Sequence, residues 1–350
     1  MRIGLYGMPA AGKTYILERI DFMEAVSGSR LLREYDPDFH MRDEAGQEWD
    51  RRGIAAMMME KETFIMDGHY AFGGQKVFTE ADGRMYDVVL YLYIAPVVLR
   101  ERMYASGKNR RYLKFDIAEW QDREISGLRD YCHEHNKDFY VIDNPPDFIF
   151  GDVSGIIRFI KAVTEGYSCF SFAKKCAEAI LGQSKTDTVT LFDGDKTLTT
   201  EDSSHAVFGY VTHIYDGYFY TGYQAWRQDE EFRQYTVPEG KGMPARLNEQ
   251  VCKAAVSDAY ILTSGHEKVW GRLSKELNIP FFCGAEMSAD TKYYITKLLQ
   301  NAGKKVTAYG DGMNDYFMLK QADRGYLVRK RDGTLSGSLK GRNLEGINFV

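Results

Sequence analysis

Gly-Met-Pro-Ala-Ala-Gly-Lys-Thr, residues Gly7–Thr14, stands between a short apolar segment at residues 2–6 and a segment of helical character. Asp-Gly-Asp-Lys-Thr, residues Asp193–Thr197, directly follows a second apolar segment at residues 188–192. A glycine-rich turn between a strand and a helix is a setting in which backbone amides bind phosphate. Paired aspartates after a strand are suited to metal-assisted phosphoryl chemistry. The two stretches therefore predict two α/β units, each with its own phosphate-handling site.

The composition agrees with a folded chain of two domains. With 350 residues and a mass of 40.1 kDa, each half is long enough to build its own core. Hydrophobic residues make up 44% of the chain and charged residues 27%, as is usual for globular proteins. The formal net charge of −5 supplies no overall basic field, which disfavours nucleic acid as a partner without excluding a local basic groove.

The cysteines and the apolar segments bear on the cellular compartment. The five cysteines lack Cys-x-x-Cys or His/Cys zinc spacing, so we interpret them as free thiols of a reducing compartment. The first residues enter a predicted strand directly, so we expect no signal peptide, and no apolar run approaches the roughly 20 residues that cross a bilayer. We therefore expect a cytoplasmic protein without a membrane partner, and the sequence does not predict the oligomeric state.

The order of apolar and amphipathic segments predicts the fold class. Strands are predicted in the first half at residues 2–6, 63–66, 88–94 and 139–142. Helices are predicted between them at residues 13–25, 96–103 and 116–135. Strands of the second half are predicted at residues 188–192, 259–263 and 306–309. Strands separated by helices imply parallel sheets, so we expect an α/β protein with two doubly wound parallel-sheet domains.

The same pattern suggests where the domains begin and end. We place a first domain at residues 1–163, a linker helix at 164–185 and a second domain at 186–350. Within the second domain, residues 203–256 form an aromatic, largely helical insertion that is long enough for a cap over a pocket. A capped pocket excludes bulky chains and water, so the insertion favours small phosphomonoesters as substrates.

The first stretch fits the pattern Gly-x-x-x-x-Gly-Lys-Thr in the context that this motif requires. Gly7 and Gly12 permit the tight backbone path that brings loop amides close to a phosphate. Lys13 would bridge the β- and γ-phosphates, and the Thr14 hydroxyl would hold Mg²⁺. The motif therefore predicts ATP and Mg²⁺ as cofactors of the first domain.

Two further segments extend this interpretation: YLYIAPVVLRERM, residues Tyr91–Met103, and GKNRR, residues Gly107–Arg111. Together with the phosphate loop they resemble the strand, helix and short lid of P-loop kinases of the nucleoside and nucleotide kinase group. The resemblance covers residues 1–163. It implies that three arginines neutralise the transferring phosphate, although they could equally form a solvated basic helix end: Arg102, Arg110 and Arg111.

Acceptor activation in such a kinase needs a carboxylate near the γ-phosphate. Asp36 and Asp38 are the candidates for this base, and the sequence does not rank one above the other. Asp67, at the end of a predicted strand, would hold the hydration shell of Mg²⁺ or contact the acceptor. Each of these residues could instead be a simple turn residue. We interpret His69 as a structural histidine whose hydrogen bonds are satisfied.

Four separated elements of the second half agree with one another. Asp193-x-Asp195-x-Thr197, Thr263-Ser264-Gly265 and Gly310-Asp311-Gly312-Met313-Asn314-Asp315 each close a predicted strand, and Lys292 opens a predicted helix. Open α/β sheets build their sites at the carboxyl ends of strands. The set resembles the haloacid dehalogenase superfamily of phosphatases, and the last motif resembles its phosphoserine-phosphatase-like branch. The resemblance spans about residues 186–345.

This resemblance implies a covalent mechanism. Asp193 would attack phosphorus and become an aspartyl phosphate. Asp195 would protonate the leaving oxygen and then deprotonate the hydrolytic water. Ser264 and Lys292 would bind the phosphoryl oxygens, with Lys297 as the alternative lysine.

The same resemblance implies a magnesium site at these strand ends. Asp193, Asp311 and the backbone carbonyl of Asp195 would hold Mg²⁺, and Asp315 would support that site. A divalent cation would shield the charge of the phosphate from the carboxylate nucleophile and offset the repulsion between the carboxylates. Asn314 is either a turn residue or a hydrogen-bonding support.

Together the two motif sets predict a bifunctional enzyme. One domain would be an ATP-dependent kinase of a small metabolite or nucleotide, and the other a Mg²⁺-dependent phosphatase of small phosphomonoesters. One alternative is nucleic-acid end processing, because some polynucleotide kinase–phosphatases also join these two classes of domain. The predicted cap, the form of the last motif and the acidic balance disfavour it. Another alternative is a nucleotide-sensing module that binds ATP without turnover and regulates the phosphatase.

Overall fold

The structure, a computed structural model, describes residues 1–144, 153–209, 220–237, 245–256 and 258–350. It divides into two compact units, Met1–Tyr167 and Ser168–Val350. Each unit contains one large parallel sheet whose strands alternate with helices, which confirms the predicted α/β class. Among the described residues, every helix is too short or too polar to cross a membrane.

The first unit is built on seven strands: β1 (Arg2–Tyr6), β2 (Ala25–Ser27), β3 (Phe64–Asp67), β4 (Ala71–Phe72), β5 (Gln75–Lys76), β6 (Val88–Ile94) and β7 (Asp138–Asn144). Its helices are α1 (Lys13–Leu17), α2 (Gly28–Tyr35), α3 (Glu44–Met59), α4 (Glu80–Met85), α5 (Pro96–Ala105), α6 (Ile117–His135) and α7 (Val153–Thr164). The main sheet has the order β2-β3-β1-β6-β7 and is parallel throughout. Strands β4 and β5 form a separate antiparallel pair.

Strand β1 lies at the centre of this sheet because its side chains are apolar on both faces. Ile3 and Leu5 are fully buried, and Leu5 pairs with Asp67 of β3 on one side and with Leu90 of β6 on the other. The loop that follows Tyr6 therefore emerges beside the carboxyl end of β3. This placement brings the phosphate loop close to Asp67.

The helix predicted over residues 13–25 is wrong beyond Leu17. The chain turns after Leu17 and then forms β2, in which Ala25 pairs with Ile65 of β3. Val26 is buried in this strand, and a β-branched side chain suits a pleated, buried position. Parallel pairing with β3 therefore overrides the local helical pattern.

The second unit is built on six strands: β8 (Thr188–Asp193), β9 (Ala259–Leu262), β10 (Phe281–Phe282), β11 (Lys305–Gly310), β12 (Arg324–Leu327) and β13 (Ile347–Phe349). Its helices are α8 (Cys169–Gln183), α9 (Ser203–Phe208), α10 (Gly222–Phe232), α11 (Glu249–Cys252), α12 (Glu267–Leu277), α13 (Ala289–Asn301) and α14 (Tyr316–Gln321). The sheet is parallel, with the order β10-β9-β8-β11-β12-β13. The central position of β8 places Asp193 in the middle of the carboxyl edge.

The predicted linker and the predicted cap each contain helices. Helix α8 falls within the predicted linker, and its buried residues Ala173, Ala177 and Ile180 belong to a core that also contains Ile295 and Leu299 of α13. The insertion predicted as a cap contains α9, α10 and α11. Its residues 210–219 and 238–244 lie outside the described residues.

Candidate active sites

Three neighbouring strands of the second sheet end at motif residues. Strand β8 ends at Asp193, β9 is followed by Thr263-Ser264-Gly265, and β11 is followed by Asp311. Because the strands are parallel, these ends meet at one edge and line a common cavity of about 190 Å³. Asp195 and Asp315 line the same cavity.

Lys292 contributes a positive charge beneath this cavity. Its side chain is fully buried on α13, and Nζ donates to Oδ1 of Asp193 at 2.6 Å and to Oδ1 of Asp315 at 2.7 Å. Burial lowers the pKa of Lys292, but the two carboxylates outweigh burial and raise it above its ordinary value. The lysine is therefore charged. The alternative, Lys297, has its ammonium group 5.9 Å from the ring centroid of Tyr293.

Asp193 is held by hydrogen bonds on both of its oxygens. Oδ1 accepts from Lys292, and Oδ2 accepts from the hydroxyl of Thr197 at 3.1 Å. Burial, together with the charge of Asp315, raises the pKa of Asp193 to about 6, although Lys292 opposes this shift. The carboxylate is therefore oriented and ionised near neutral pH, which is the state that a nucleophile requires.

Asp195 occupies a different environment in the same cavity. Its Oδ1 accepts from the backbone amide of Ser203 at 2.7 Å, and its Oδ2 accepts from Nε1 of Trp270 at 3.4 Å. Burial and the charge of Asp202 raise the pKa of Asp195 to about 7. A Cβ atom at Gly265 would lie 2.7 Å from Oδ2 of Asp195, so the glycine leaves room for this carboxylate.

A metal site is indicated by three carboxylates that meet at the strand ends. Asp193, Asp311 and Asp315 each offer an oxygen, and these atoms lie within 4.8 Å of one another. Burial, together with the charges of Asp193 and Asp315, raises the pKa of Asp311 well above its ordinary value. Clustered carboxylate oxygens fit Mg²⁺, whose charge would relieve this crowding. Among the described residues, the carboxylate of Asp195 does not belong to this group.

Ser264 and Asn314 form a hydrogen-bonded pair on the wall of the cavity. The Ser264 hydroxyl donates to the carbonyl of Met287 at 2.7 Å and accepts from Nδ2 of Asn314 at 2.9 Å. Within the described part of the chain, Oδ1 of Asn314 is buried without a partner. Of the two interpretations of Asn314, this contact favours the hydrogen-bonding support.

Several residues that line or support this cavity could not be found from the sequence. Trp270 reaches Asp195 from α12, and Ser336 and Ser338 approach from a distant loop. The hydroxyl of Ser338 accepts from the backbone amide of Met313 at 3.1 Å. These residues belong to no local motif, so only the packing of the loops could identify them.

The phosphate loop of the first unit has the backbone that its glycines permit. Gly12 has a φ of 102°, which side chains of L-residues rarely allow. The buried Lys13 donates from Nζ to the carbonyl oxygens of Gly7, at 2.6 Å, and Met8, at 3.2 Å. The Thr14 hydroxyl group belongs to an exposed residue. The lysine thus bonds to its own loop rather than to a carboxylate.

The electrostatic surroundings of Lys13 differ from those of Lys292. Burial lowers the pKa of Lys13 to about 8, and the charges of Asp67 and Glu124 only partly oppose this shift. Bound nucleotide phosphates would supply the negative charge that the surroundings of Lys13 lack.

The three predicted arginines lie in different places. Arg102 donates from Nη1 to the carbonyl of Ala11 at 3.2 Å, so it lies against the phosphate loop. Arg110 donates to the carbonyl of Tyr104 at 2.7 Å, and Arg111 donates to the hydroxyl of Tyr112 at 2.9 Å. The structure therefore brings Arg102 to the loop and places Arg110 and Arg111 on contacts with neighbouring tyrosines.

The three predicted carboxylates of this unit also lie in different places. Asp67 accepts from the backbone amide of Gly28 at 2.8 Å and lines a cavity of about 150 Å³. Asp36 accepts from Nε of Arg42 at 2.7 Å and from the backbone amide of Asp38 at 2.9 Å. Neither Asp36 nor Asp38 is among the described residues that line that cavity.

His69 lines the same cavity, and the interpretation that its hydrogen bonds are satisfied is wrong. Its Nδ1 is shielded from solvent and has no partner among the described residues. Burial, together with the nearby charge of Lys13, lowers the pKa of His69 well below its ordinary value. The backbone of Gly7 opposes this shift in the pKa of His69.

Glu124 is a buried carboxylate that the sequence gives no reason to single out. It accepts from the Tyr91 hydroxyl at 2.7 Å, from Nε1 of Trp120 at 2.9 Å and from the backbone amide of Ala71 at 3.1 Å. Burial raises the pKa of Glu124 to about 7 despite these bonds. A glutamate on an amphipathic helix such as α6 is usually solvated, so its burial appears only in the tertiary structure.

Comparison with known proteins gives similarity to solved structures only. No protein-family model and no curated protein matches the chain. Similar structures include shikimate kinase from Acinetobacter baumannii in complex with shikimate, with 15% identity over 48% of this chain and 95% of that chain, at a TM-score of 0.35. A HAD family hydrolase from Salmonella enterica serovar Typhi has 17% identity over 45% of this chain and 71% of that chain, at a TM-score of 0.28. Phosphoserine phosphatase in its apo form has 15% identity over 42% of this chain and 89% of that chain, at a TM-score of 0.28.

These neighbours include a kinase and members of the phosphatase superfamily that the motifs resemble. Identities this low concern the fold alone. What the chain does chemically therefore depends on the geometry of its own two sites.

Proposed function

We propose that the chain is a bifunctional enzyme, with a Mg²⁺-dependent phosphomonoesterase in the second unit and an ATP-dependent kinase in the first. The observation that carries the phosphatase is the convergence of Asp193, Asp311, Asp315 and Lys292 at one sheet edge, with Asp195 in the same cavity. The cavity is small, so small phosphomonoesters are the substrate class that it favours. We expect the enzyme to act in the cytoplasm.

In the phosphatase reaction, an oxygen of Asp193 bonds to phosphorus as the phosphorus–oxygen ester bond breaks. Asp195, whose pKa is raised to about 7, donates its proton to the leaving oxygen. Asp195 then takes a proton from water, which attacks the aspartyl phosphate and releases phosphate and free Asp193. Lys292 and Ser264 bind phosphoryl oxygens, and bound Mg²⁺ would neutralise charge on the phosphate.

The test of the phosphatase is phosphate release from a panel of phosphomonoesters with Mg²⁺ present. Asp193→Asn should lower the rate by at least about 10³-fold because the nucleophile is lost. Asp187→Asn is the matched control, since Asp187 is exposed and directly precedes the same strand. Equal rates for wild type and Asp193→Asn would remove Asp193 as the nucleophile.

The kinase in the first unit is supported by the phosphate loop, by Arg102 against that loop and by the adjoining cavity that contains Asp67. Lys13 and Arg102 would stabilise charge on the transferring phosphate. Lys13→Ala should abolish ATP-dependent phosphorylation and leave phosphate release by the second unit unchanged. ATP binding without transfer to any acceptor would instead assign the first unit as a nucleotide sensor.

A further inference from the structure

We infer that an open groove of the first unit binds a planar ring that carries an anionic group, and that Arg111 and Lys114 hold this anion. Because this ligand is the acceptor of the proposed kinase, its assignment rests on that proposed function. Arg111 would then contact the acceptor rather than the transferring phosphate.

Three elements surround this groove, which has a volume of about 450 Å³. Helix α3 contributes Gln47 and Arg51, and the paired strands β4 and β5 contribute Phe72 and Gln75. The segment that follows α5 contributes Arg111, Tyr112, Lys114 and Phe115. Among the described residues that line the groove, none is a carboxylate.

The turn between β4 and β5 packs against the segment that follows α5. Gly73 in this turn has a φ of 59°, and a Cβ atom there would lie 2.6 Å from the ring of Phe115. The glycine therefore allows the turn to approach that ring closely. Phe72 precedes the turn and is 37% exposed, so part of its ring surface is available to a ligand in the groove.

The groove adjoins the cavity that contains Asp67. The two spaces share five lining residues: Phe39, His40, Arg51, Phe72 and Val77. The charge of Asp67 acts on Lys13, so this carboxylate lies near the phosphate loop. An acceptor whose ring lies in the groove can therefore direct a hydroxyl towards Asp67 and the phosphate loop.

Two cations of the groove rest against aromatic rings. The guanidinium carbon of Arg111 lies 4.8 Å from the ring centroid of Tyr112, and Nη2 donates to the hydroxyl of that tyrosine at 2.9 Å. Nζ of Lys114 lies 5.1 Å from the ring centroid of Phe115. Contacts with a neutral ring orient a cation without cancelling its charge.

These two cations differ from Arg51 in how the protein balances them. The charge of Arg51 opposes the rise in the pKa of Asp82, so this arginine is already compensated. Within the described residues, Arg111 and Lys114 have no ion pair. Asp116, which follows Lys114 closely in the chain, accepts from a backbone amide at the start of α6 at 3.0 Å. A carboxylate or phosphate of a ligand would complement the two charges.

Rings and cations together select the ligand class. A planar ring can stack on Phe72, and its anionic substituent can pair with Arg111 and Lys114. A simple anion would make only screened contacts with these exposed side chains. An uncharged ring would leave both cations without a partner. The groove therefore favours an anion attached to an aromatic ring.

The transfer step is balanced with ATP as the donor. The acceptor hydroxyl oxygen bonds to the γ-phosphorus as the bond from that phosphorus to the β,γ-bridging oxygen breaks. ADP leaves with that electron pair, and the hydroxyl proton passes to the carboxylate of Asp67. Arg111 and Lys114 contact only the anionic group of the acceptor, so they act on binding more than on the step itself.

The experiment measures binding and transfer separately in the full chain. The probe is a hydroxymethyl-naphthoate, compared with its uncharged amide and with its saturated analogue, which keeps the carboxylate and lacks the aromatic ring. Calorimetry with a non-hydrolysable ATP analogue present reports binding, and ADP formation from ATP reports transfer. Cytidine 3′-monophosphate also carries a ring, an anion and a hydroxyl, so it distinguishes a nucleotide from an aromatic acid as the source of this chemistry.

The double variant with Arg111→Gln and Lys114→Gln should weaken binding of the naphthoate by roughly 10- to 100-fold and leave binding of the amide unchanged. Phe72→Leu should weaken binding of the naphthoate by roughly 3- to 10-fold and leave the saturated analogue unchanged. All three side chains are exposed, so these variants should fold normally.

Two variants serve as matched controls. Arg100→Gln and Lys108→Gln should change nothing, because both residues are exposed and neither is among the described residues that line the groove. Added salt should weaken wild-type binding of the naphthoate and not of the amide, since screening acts only on the charged ligand.

The outcomes separate the inference from the proposed function. Binding and transfer that favour the naphthoate or the nucleotide over the amide, and depend on Arg111 and Lys114, support both and identify the source. Transfer to the amide that equals transfer to the naphthoate, in wild type and double variant alike, overturns the inference and leaves the kinase intact. Binding that depends on the two cations without transfer keeps the ligand class and removes the kinase. Binding that the double variant does not change, or no binding of either anion, overturns the inference.

Discussion

The chain buries one lysine at each of its two candidate sites, and the electrostatic surroundings of the two lysines are opposite. In the second unit, Lys292 bonds to Asp193 and Asp315, and these carboxylates raise its pKa. In the first unit, the partners of Lys13 among the described residues are carbonyl oxygens of its own loop, and burial lowers its pKa to about 8. Carboxylates of the protein balance the charge of Lys292, whereas the charge of Lys13 is available to a bound ligand.

This difference agrees with what each proposed reaction requires. A phosphatase that uses a carboxylate nucleophile needs several acidic groups in one place, and a buried lysine keeps them together without substrate. A kinase binds a highly charged nucleotide, so a loop with uncompensated positive charge suits its ligand. Four substitutions test this contrast.

The largest effect is expected for Lys292→Met. Removal of the ammonium group leaves Asp193 and Asp315 buried and repelling each other, which should cost about 3 to 5 kcal/mol of unfolding free energy at pH 7. Phosphatase activity should fall by at least about 10²-fold because a phosphate-binding charge is also lost. Chemical denaturation and phosphate release measure the two effects. Lys297→Met, on the same helix, is the control. Equal destabilisation by both variants would contradict the claim that Lys292 balances the buried carboxylates.

Lys13→Met should give the opposite result in the absence of ligand. The variant loses hydrogen bonds to Gly7 and Met8 but no longer buries an uncompensated charge, so its stability should change by less than about 1 kcal/mol. ATP at 100 times its dissociation constant should stabilise the wild type by about 2.7 kcal/mol, and this gain should vanish in the variant. Thermal unfolding with and without ATP measures it, with Lys161→Met, whose side chain is 57% exposed, as the control. Destabilisation as large as that of Lys292→Met would show that the two lysines do not differ in how the protein balances their charge.

Glu124→Gln tests the buried carboxylate near Lys13 through pH. The folded pKa of Glu124, about 7, lies above its ordinary value of 4.5, so the folded state binds more protons between these values. Wild-type stability from this group is therefore present below pH 4.5 and is lost as pH rises to about 7. The variant should lack this loss, so its stability relative to wild type should rise by roughly 2 to 3 kcal/mol between pH 5 and pH 8.

Denaturation between pH 5 and 8 checks this prediction. Glu119→Gln provides the control, because Glu119 lies on the same helix with its side chain 65% exposed. Parallel stability curves for wild type and Glu124→Gln would show that the glutamate keeps its ordinary ionisation in the folded protein.

The smallest effect is expected for Trp270→Phe. The substitution removes the indole N–H that donates to Asp195 at 3.4 Å and leaves most of the apolar contact. Phosphate release should fall several-fold, which corresponds to about 1 kcal/mol, since a long hydrogen bond contributes little. Steady-state kinetics measure it, and Trp49→Phe, at a site 74% exposed, should match wild type. A loss as large as that for Asp193→Asn would make the indole a principal catalytic group.

Much of the fold follows from local patterns in the sequence. Strands Arg2–Tyr6 and Val88–Ile94 have the predicted bounds, because long apolar runs between turn residues leave few alternatives. Strand β2 was missed because three residues carry no periodic signal, and its pairing with β3 is a long-range contact. Local patterns also missed the buried core role of α8 beneath the second sheet.

The residues of the candidate sites also fall into two groups, those that the sequence predicts and those that only the structure reveals. Asp193, Ser264 and Asp311 could be found from the sequence because each follows an apolar strand, and parallel strands bring such positions to one edge. Trp270 could not be found, because it reaches the site from a helix without a local motif. Nδ1 of His69, which has no partner in the part of the chain that the structure describes, could not be found either, since the absence of a partner depends on every neighbouring element.

The sequence by itself determined the two α/β units and the reactive groups at their strand ends, since periodicity and motif spacing are local properties of the chain. The tertiary structure alone decided which charges are balanced: Lys292 lies between two carboxylates, whereas Lys13 bonds to its own loop. The reason is that desolvation and Coulomb interactions depend on burial and distance, which residues far apart in the chain set together.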